Sequence, residues 1–134
     1  MLRILGLLGG FVMSVTSAFA QDADAIEGVI GSQLQAFNDR DIEEAWQYAS
    51  PNIKRIFGNP GNFGVMVERG YPMVWDNADV RFLELRDIAG NVWQKIMVRD
   101  VRGGLHILDY QMVETSEGWQ INGVQLLPGP DVGA

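Results

Sequence analysis

An aspartate set in the middle of a β-strand pattern is the residue of this sequence with the most chemistry to offer. Asp109 stands in the run Leu105-His106-Ile107-Leu108-Asp109-Tyr110-Gln111-Met112-Val113. There it costs β-propensity and, if buried, desolvation that raises its pKa. A raised carboxyl in an apolar cavity acts as a general base or as a protonated hydrogen-bond donor. With Tyr110 or Arg99 as electrostatic partner it would suit a lyase or isomerase working on a small hydrophobic substrate. The alternative is a structural Asp109 on an outer face, satisfied by Gln111 or by a neighbour across the strands. Tyr48, Tyr71 and Tyr110 could each donate to an oxyanion, and each also stands where a core aromatic belongs. His106, the single histidine, lies beside a hairpin turn and reads as a solvated turn residue. Lys95 opposite Glu84, and Arg86 beside Trp93, read as structural cross-strand pairs.

Other chemistries lack their residues. A metal site needs several His, Cys or carboxylate ligands at close spacing, and one histidine with no cysteine does not supply them; neither metal nor cofactor is expected. There is no glycine-rich phosphate loop, no G-x-S-x-G elbow and no nucleophile with a base beside it. Without cysteine there are no disulfides and no thiol catalysis. A net charge of −7 argues against nucleic acid and anionic membrane surfaces, which reward clustered Lys and Arg.

The element that must position these groups is a sheet. Four alternating runs, 80–88, 92–101, 105–115 and 119–127, are separated by short glycine-bearing breaks and predict an antiparallel meander over 80–127. Upstream, residues 1–20 carry Arg3, an apolar run and a small-x-small ending at Ala20, the pattern of a secretory signal peptide. Cleavage there removes Arg3 and leaves nine basic against 17 acidic residues, about −8 over 114 residues. The mature chain is expected to be periplasmic or secreted, with no membrane association. Residues 21–127 would form a single domain, with helices over 24–71, and 128–134 a flexible tail.

Asp24 with Glu27 reads as a capping box opening the first helix, whose stripe is Ile26, Val29, Ile30, Leu34 and Phe37. Asp41 with Glu44 opens the second. Ser50-Pro51 opens a third, and Asn62 is expected to cap a fourth that ends at Gly70. Met73 to Asp79 is read as ambiguous, with a short edge strand through Trp75 as one outcome.

Hairpin arithmetic distributes the strand residues over two faces. A two-residue Gly103-Gly104 loop would pair Arg99 with Leu108 and Met97 with Tyr110. One face then carries Phe82, Arg86, Trp93, Met97, His106, Tyr110 and Trp119, and the other Leu85, Ile96, Val98, Asp109 and Val124. Both are too apolar for one to lie wholly in water. The helices are assigned to the aromatic-rich face, and a second copy of the chain to the aliphatic one; a single bulge or a three-residue loop would exchange the faces downstream of it.

Helices followed by a curved antiparallel sheet, with Ala36-Phe37-Asn38 leading into Asp41, Ala45-Trp46, Ser50-Pro51, Tyr110-Gln111-Met112 and Gly118-Trp119-Gln120-Ile121-Asn122-Gly123-Val124, resemble the nuclear transport factor 2-like (cystatin-like) superfamily. Within it the chain resembles an exported proteobacterial family known as a domain of unknown function. The resemblance implies a cone-shaped α+β fold with a cavity between helices and sheet and dimerisation through the sheet's outer face. It transfers no catalytic residue. The expected function is binding of a small apolar ligand or of an envelope protein partner without catalysis, with Trp93, Tyr110, Trp119 and Phe37 as candidate ligand contacts; the alternative is the lyase or isomerase above. A filled cone would leave a small structural dimer.

Overall fold

The computed structural model describes residues 18–129. Most of the expected signal peptide, residues 1–17, and the end of the tail, 130–134, lie outside the described residues. The described residues build five helices, α1 (Ala18–Asn38), α2 (Ile42–Gln47), α3 (Pro51–Phe57), α4 (Pro60–Gly70) and α5 (Pro72–Trp75), and then four strands. The strands are β1 (Asn77–Ile88), β2 (Asn91–Asp100), β3 (Leu105–Thr115) and β4 (Gly118–Leu127), in one antiparallel sheet of order β1-β2-β3-β4. This is the α+β arrangement expected, helices on one side of a curved meander. Among the described residues, no helix is long and apolar enough to cross a membrane.

The helices owe their limits to local chemistry. In α1 the stripe Ile26, Ile30, Leu34 and Phe37 is buried at 0–2 % exposure, because the spacing brings these residues onto one side. The helix already runs from Ala18, the first described residue, so the expected capping box at Asp24 is interior; the alanines between Ala18 and Ala23 supply no stop. Asp41 caps α2 by accepting from the Glu44 N–H at 3.1 Å. Ser50 caps α3 by accepting from the Ile53 N–H at 3.2 Å, with Pro51 in the first turn. The cap of α4 is Asn59, which accepts from the Asn62 N–H at 2.8 Å, so Asn62 is the donor in that cap, one turn inside. Proline at the first helical position explains the earlier start. The ambiguous segment becomes α5, opened by Pro72, and β1 starts at Asn77. Asn77 is 6 % exposed. It donates to the Leu34 and Val74 carbonyls and accepts from Asn38, pinning α1, α5 and β1 together.

Strand register corrects the expected faces. Arg99 pairs with Leu105 and Met97 with Ile107, because the turn spans Asp100 to Gly104 and not the two glycines alone. The Asp100 carboxylate closes it, accepting from the Arg102 and Gly104 N–H groups and meeting His106 Nε2 at 2.7 Å. A bulge in β1 between Phe82 and Leu85 and another in β4 at Asn122 shift the register again. The helix-facing side therefore carries Phe82, Leu85, Gln94, Ile96, Val98, Leu108, Tyr110, Met112, Ile121 and Val124. The outer side carries Arg86, Trp93, Lys95, Met97, Ile107, Asp109 and Gln111. Gln94, 1 % exposed on the core side, donates to the Leu83 and Lys95 carbonyls, which satisfies backbone that the β1 bulge leaves out of the ladder.

The turn at Asp100 gives a pH dependence. Hydrogen bonds from His106, then from the Gly104 and Arg102 N–H groups, hold the Asp100 carboxyl below its ordinary value of 3.8. A depressed carboxyl contributes stability that is complete above the unfolded value and is lost as pH falls through the folded one. Melting temperature should therefore fall as pH drops below about 4, and Asp100→Ala should flatten that limb. Equal acid limbs in the two proteins, measured by thermal melts from pH 7 to pH 3, would contradict it.

Candidate functional site

A cavity of about 280 Å³ lies between the helices and the core side of β3 and β4. Tyr110, Ile121, Gly123 and Val124 line it from the sheet, Gln33 and Phe37 from α1, and Phe63, Met66 and Val67 from α4. Tyr71 and Val74 flank these, and Ala49, Ile53, Ile56 and Phe57 line it from α3 and its approach. On the α3 side of the cavity Ile56 is 63 % exposed and no residue of the helix is buried.

Local structure explains why the space is not filled. Ser50 N–H donates to the Ile121 carbonyl and Ile121 N–H to the Tyr48 carbonyl, each at 2.8 Å, so the chain before α3 is laid along the edge of β4. The Ser50 hydroxyl donates to Asn122 Oδ1 at 2.8 Å, and Asn122 Nδ2 donates to Gln111 Oε1 at 3.2 Å. Asn122 is the extra residue of the β4 bulge. The bulge, the cap of α3 and this bridge hold α3 at the sheet's edge and not over its centre. On the opposite side Phe37 packs against Phe63 and Trp75 with ring centroids 5.9 and 6.1 Å apart, and sets the depth of the cavity.

None of the lining residues is an acid, a base or a histidine. The polar atoms are few. Tyr71 donates to the Val124 carbonyl at 3.1 Å. Gln33, 4 % exposed, donates through Nε2 to the Ala45 carbonyl at 3.1 Å; that contact fixes the amide's orientation, and its Oε1 receives no donor among the described residues. The Tyr110 hydroxyl has no hydrogen-bond partner among the described residues, although Tyr110 is 1 % exposed. Burial, with a smaller contribution from Tyr71, raises its pKa far above the ordinary tyrosine value, so it is a neutral donor.

The residues singled out from sequence separate into three places. Phe37 and Tyr110 line the cavity. Trp119 lies on the core side at the other end of the sheet, donating to Asp22 Oδ1 at 3.2 Å, and Trp93 is on the outer face. Asp109 and Arg99 are also on the outer face, so Tyr110 and Asp109, adjacent in sequence, point to opposite sides. Asp109 is 5 % exposed because Arg86 of β1 reaches across β2 and grips it with two hydrogen bonds of 2.8 and 2.7 Å. Asp109 in turn raises the Arg86 pKa above its ordinary value. The Arg99 guanidinium is 3.9 Å from Asp79, and Lys95 meets Glu84 at 3.5 Å as expected. Among the described residues, no cluster of three His, Cys, Asp or Glu could hold a metal ion.

Sequence reasoning missed Gln33, the α3 residues Ile53, Ile56 and Phe57, and Val124. The signal for Gln33 was present: it follows Ile26 by seven residues and Ile30 by three, on the buried stripe of α1. Val124 was hidden by the bulge two residues before it. A family model described as a domain of unknown function, DUF4864, matches residues 19–134 of the chain. No curated protein matches it.

Proposed function

We propose that this chain, which belongs to the DUF4864 family of domains of unknown function, binds a small apolar molecule in the cavity between its helices and sheet, without catalysis. The carrying observation is the cavity of about 280 Å³ whose lining is apolar but for Gln33, Tyr71 and Tyr110. Pockets that hold small molecules are concave and mostly apolar with a few polar groups that fix orientation. An engineered apolar cavity of about 150 Å³ already binds benzene, so a molecule of roughly two rings fits the space here. Binding is favoured over lyase or isomerase chemistry because the lining offers no acid or base, and the Asp109 carboxylate is committed to Arg86 on the far side of the sheet.

The same reading takes the chain as an exported member of the nuclear transport factor 2-like superfamily, freed after Ala20 by signal cleavage. Supporting it are the order of helices and sheet, the cavity, and the exposure of Phe19 and Ala20, so that cutting there uncovers no core. Two copies would pair through the outer face of the sheet, where Trp93, Met97, Ile107 and Val113 are only partly covered.

Native mass spectrometry of the protein recovered from the periplasm of an expressing cell reads all of this together. The expected result is a dimer of chains lacking residues 1–20 with a retained apolar compound. A protein that stays empty after incubation with a library of neutral aromatic compounds would overturn the binding reading, and a monomer at micromolar concentration would overturn the dimer.

A further inference from the structure

We propose that the cavity selects a neutral, roughly two-ring molecule by a single hydroxyl or carbonyl oxygen placed on the Tyr110 hydroxyl. This rests on the ligand-binding reading above and names the chemistry it serves. A buried polar group without a partner carries its full desolvation penalty, and native structures leave few such groups unexplained. Tyr110 lines the apolar space, is 1 % exposed, and its hydroxyl meets no acceptor or donor among the described residues. Tyr71, lining the same cavity, shows the contrast: its hydroxyl is occupied by the Val124 carbonyl. Gln33, which also lines the cavity, adds an acceptor, since its Nε2 is held by the Ala45 carbonyl and its buried Oε1 receives no donor among the described residues.

The chemistry of the ligand is set by what these groups offer. A tyrosine held protonated donates to an oxygen lone pair, and the Gln33 oxygen accepts from a hydroxyl. A carboxylate or phosphate would enter a cavity with no cation in its lining and lose its hydration without compensation. A pure hydrocarbon would fill the volume and leave the tyrosine unsatisfied. Sites built to hydrogen-bond a ligand oxygen discriminate strongly against the analogue without it, because the protein's own polar group is then stranded.

The test compares 2-naphthol with 2-methylnaphthalene, which replaces the hydroxyl by a methyl of similar size, on the intact protein and on Tyr110→Phe. Equilibrium dialysis with fluorescence detection gives the ratio of the two affinities for each protein, and comparing ratios cancels the different hydration of the probes. The ratio should favour 2-naphthol about tenfold more in the intact protein than in the variant, and 2-naphthoate should not compete. Equal ratios in the two proteins would overturn the assignment of Tyr110 while leaving cavity binding in place. Failure of the intact protein to bind either probe would overturn the binding reading and this inference together. A second measurement needs no variant: with tyrosine labelled at Cζ, the resonance of one cavity tyrosine should move further with saturating 2-naphthol than with saturating 2-methylnaphthalene. Equal movement with both would also overturn the assignment.

Discussion

Phe37→Ala is expected to lower the stability of this protein by about 3–5 kcal/mol, the range for removing a buried aromatic ring from a core. Phe37 is 1 % exposed and is the hinge of an aromatic cluster, within 6.1 Å of both Phe63 and Trp75 by ring centroids. Phe63 in turn meets Trp46 and Phe57 at 5.5 and 6.1 Å, so truncation loosens the contacts between α1, α4 and α5 at once. The surroundings cannot collapse onto the hole, because the cavity already lies on the other side of the ring. Native domains carry only about 5–15 kcal/mol in total, so the variant should show a much reduced denaturant midpoint with little change in slope. Phe37→Leu should recover most of the loss. A loss under about 1 kcal/mol for Phe37→Ala, read from urea unfolding, would mean that the ring is not part of the packed core.

Asp109→Ala comes second, with an expected loss of about 2–3 kcal/mol. Removing one partner of a buried ion pair leaves the other charge uncompensated, and here the stranded group is a guanidinium held by two hydrogen bonds to Asp109 alone among the described residues. The loss falls below that of a fully buried pair because the Arg86 side chain is 24 % exposed and can turn partly to water. Replacing both partners at once, Arg86→Met with Asp109→Leu, should restore stability close to that of the natural protein, since the apolar pair strands no charge. The comparison pair is Lys95 with Glu84, where Glu84 is 70 % exposed; breaking it should cost well under ~1 kcal/mol. If Asp109→Ala matched that small value, Asp109 would be no more than a surface residue. If the double variant were as unstable as the single one, something other than the pairing of charges would link β1 to β3 across β2.

These expected effects bear on how far the sequence could be read. The strands were legible because the period of two is strict over β2 and β3 and because glycines mark every turn. The stripe of α1 and the caps at Asp41 and Ser50 were legible for similar reasons, since a helix start is set by residues within one turn. The faces of the sheet were not, and three local devices account for the difference. Asp100 gathers the N–H groups of Arg102 and Gly104, which lengthens the turn that the two glycines alone would make short. The β1 bulge is stabilised by Gln94, and the β4 bulge by Asn122 reaching Ser50 and Gln111. Each is a side chain satisfying backbone or polar groups outside its own strand segment, and each exchanges the faces of the strand residues downstream. That is why Trp93 shares its face with Asp109 and not with Tyr110, while Ile96 and Val98 share theirs with Tyr110. Phe37 and Tyr110, read in sequence as candidate ligand contacts, both line the cavity, but the partner that gives Asp109 its burial, Arg86, reads in sequence as a neighbour of Trp93.

The most direct measurement on the cavity is a titration of the methyl-labelled protein with 2-naphthol, monitored by two-dimensional NMR. Ligand binding between the helices and the sheet predicts shift changes at Ile53, Val67, Val74, Ile121 and Val124, with Ile107 and Val113 on the outer face unmoved. Changes at Ile107 and Val113, with the cavity methyls unmoved, would contradict it and assign binding to the other side of the sheet.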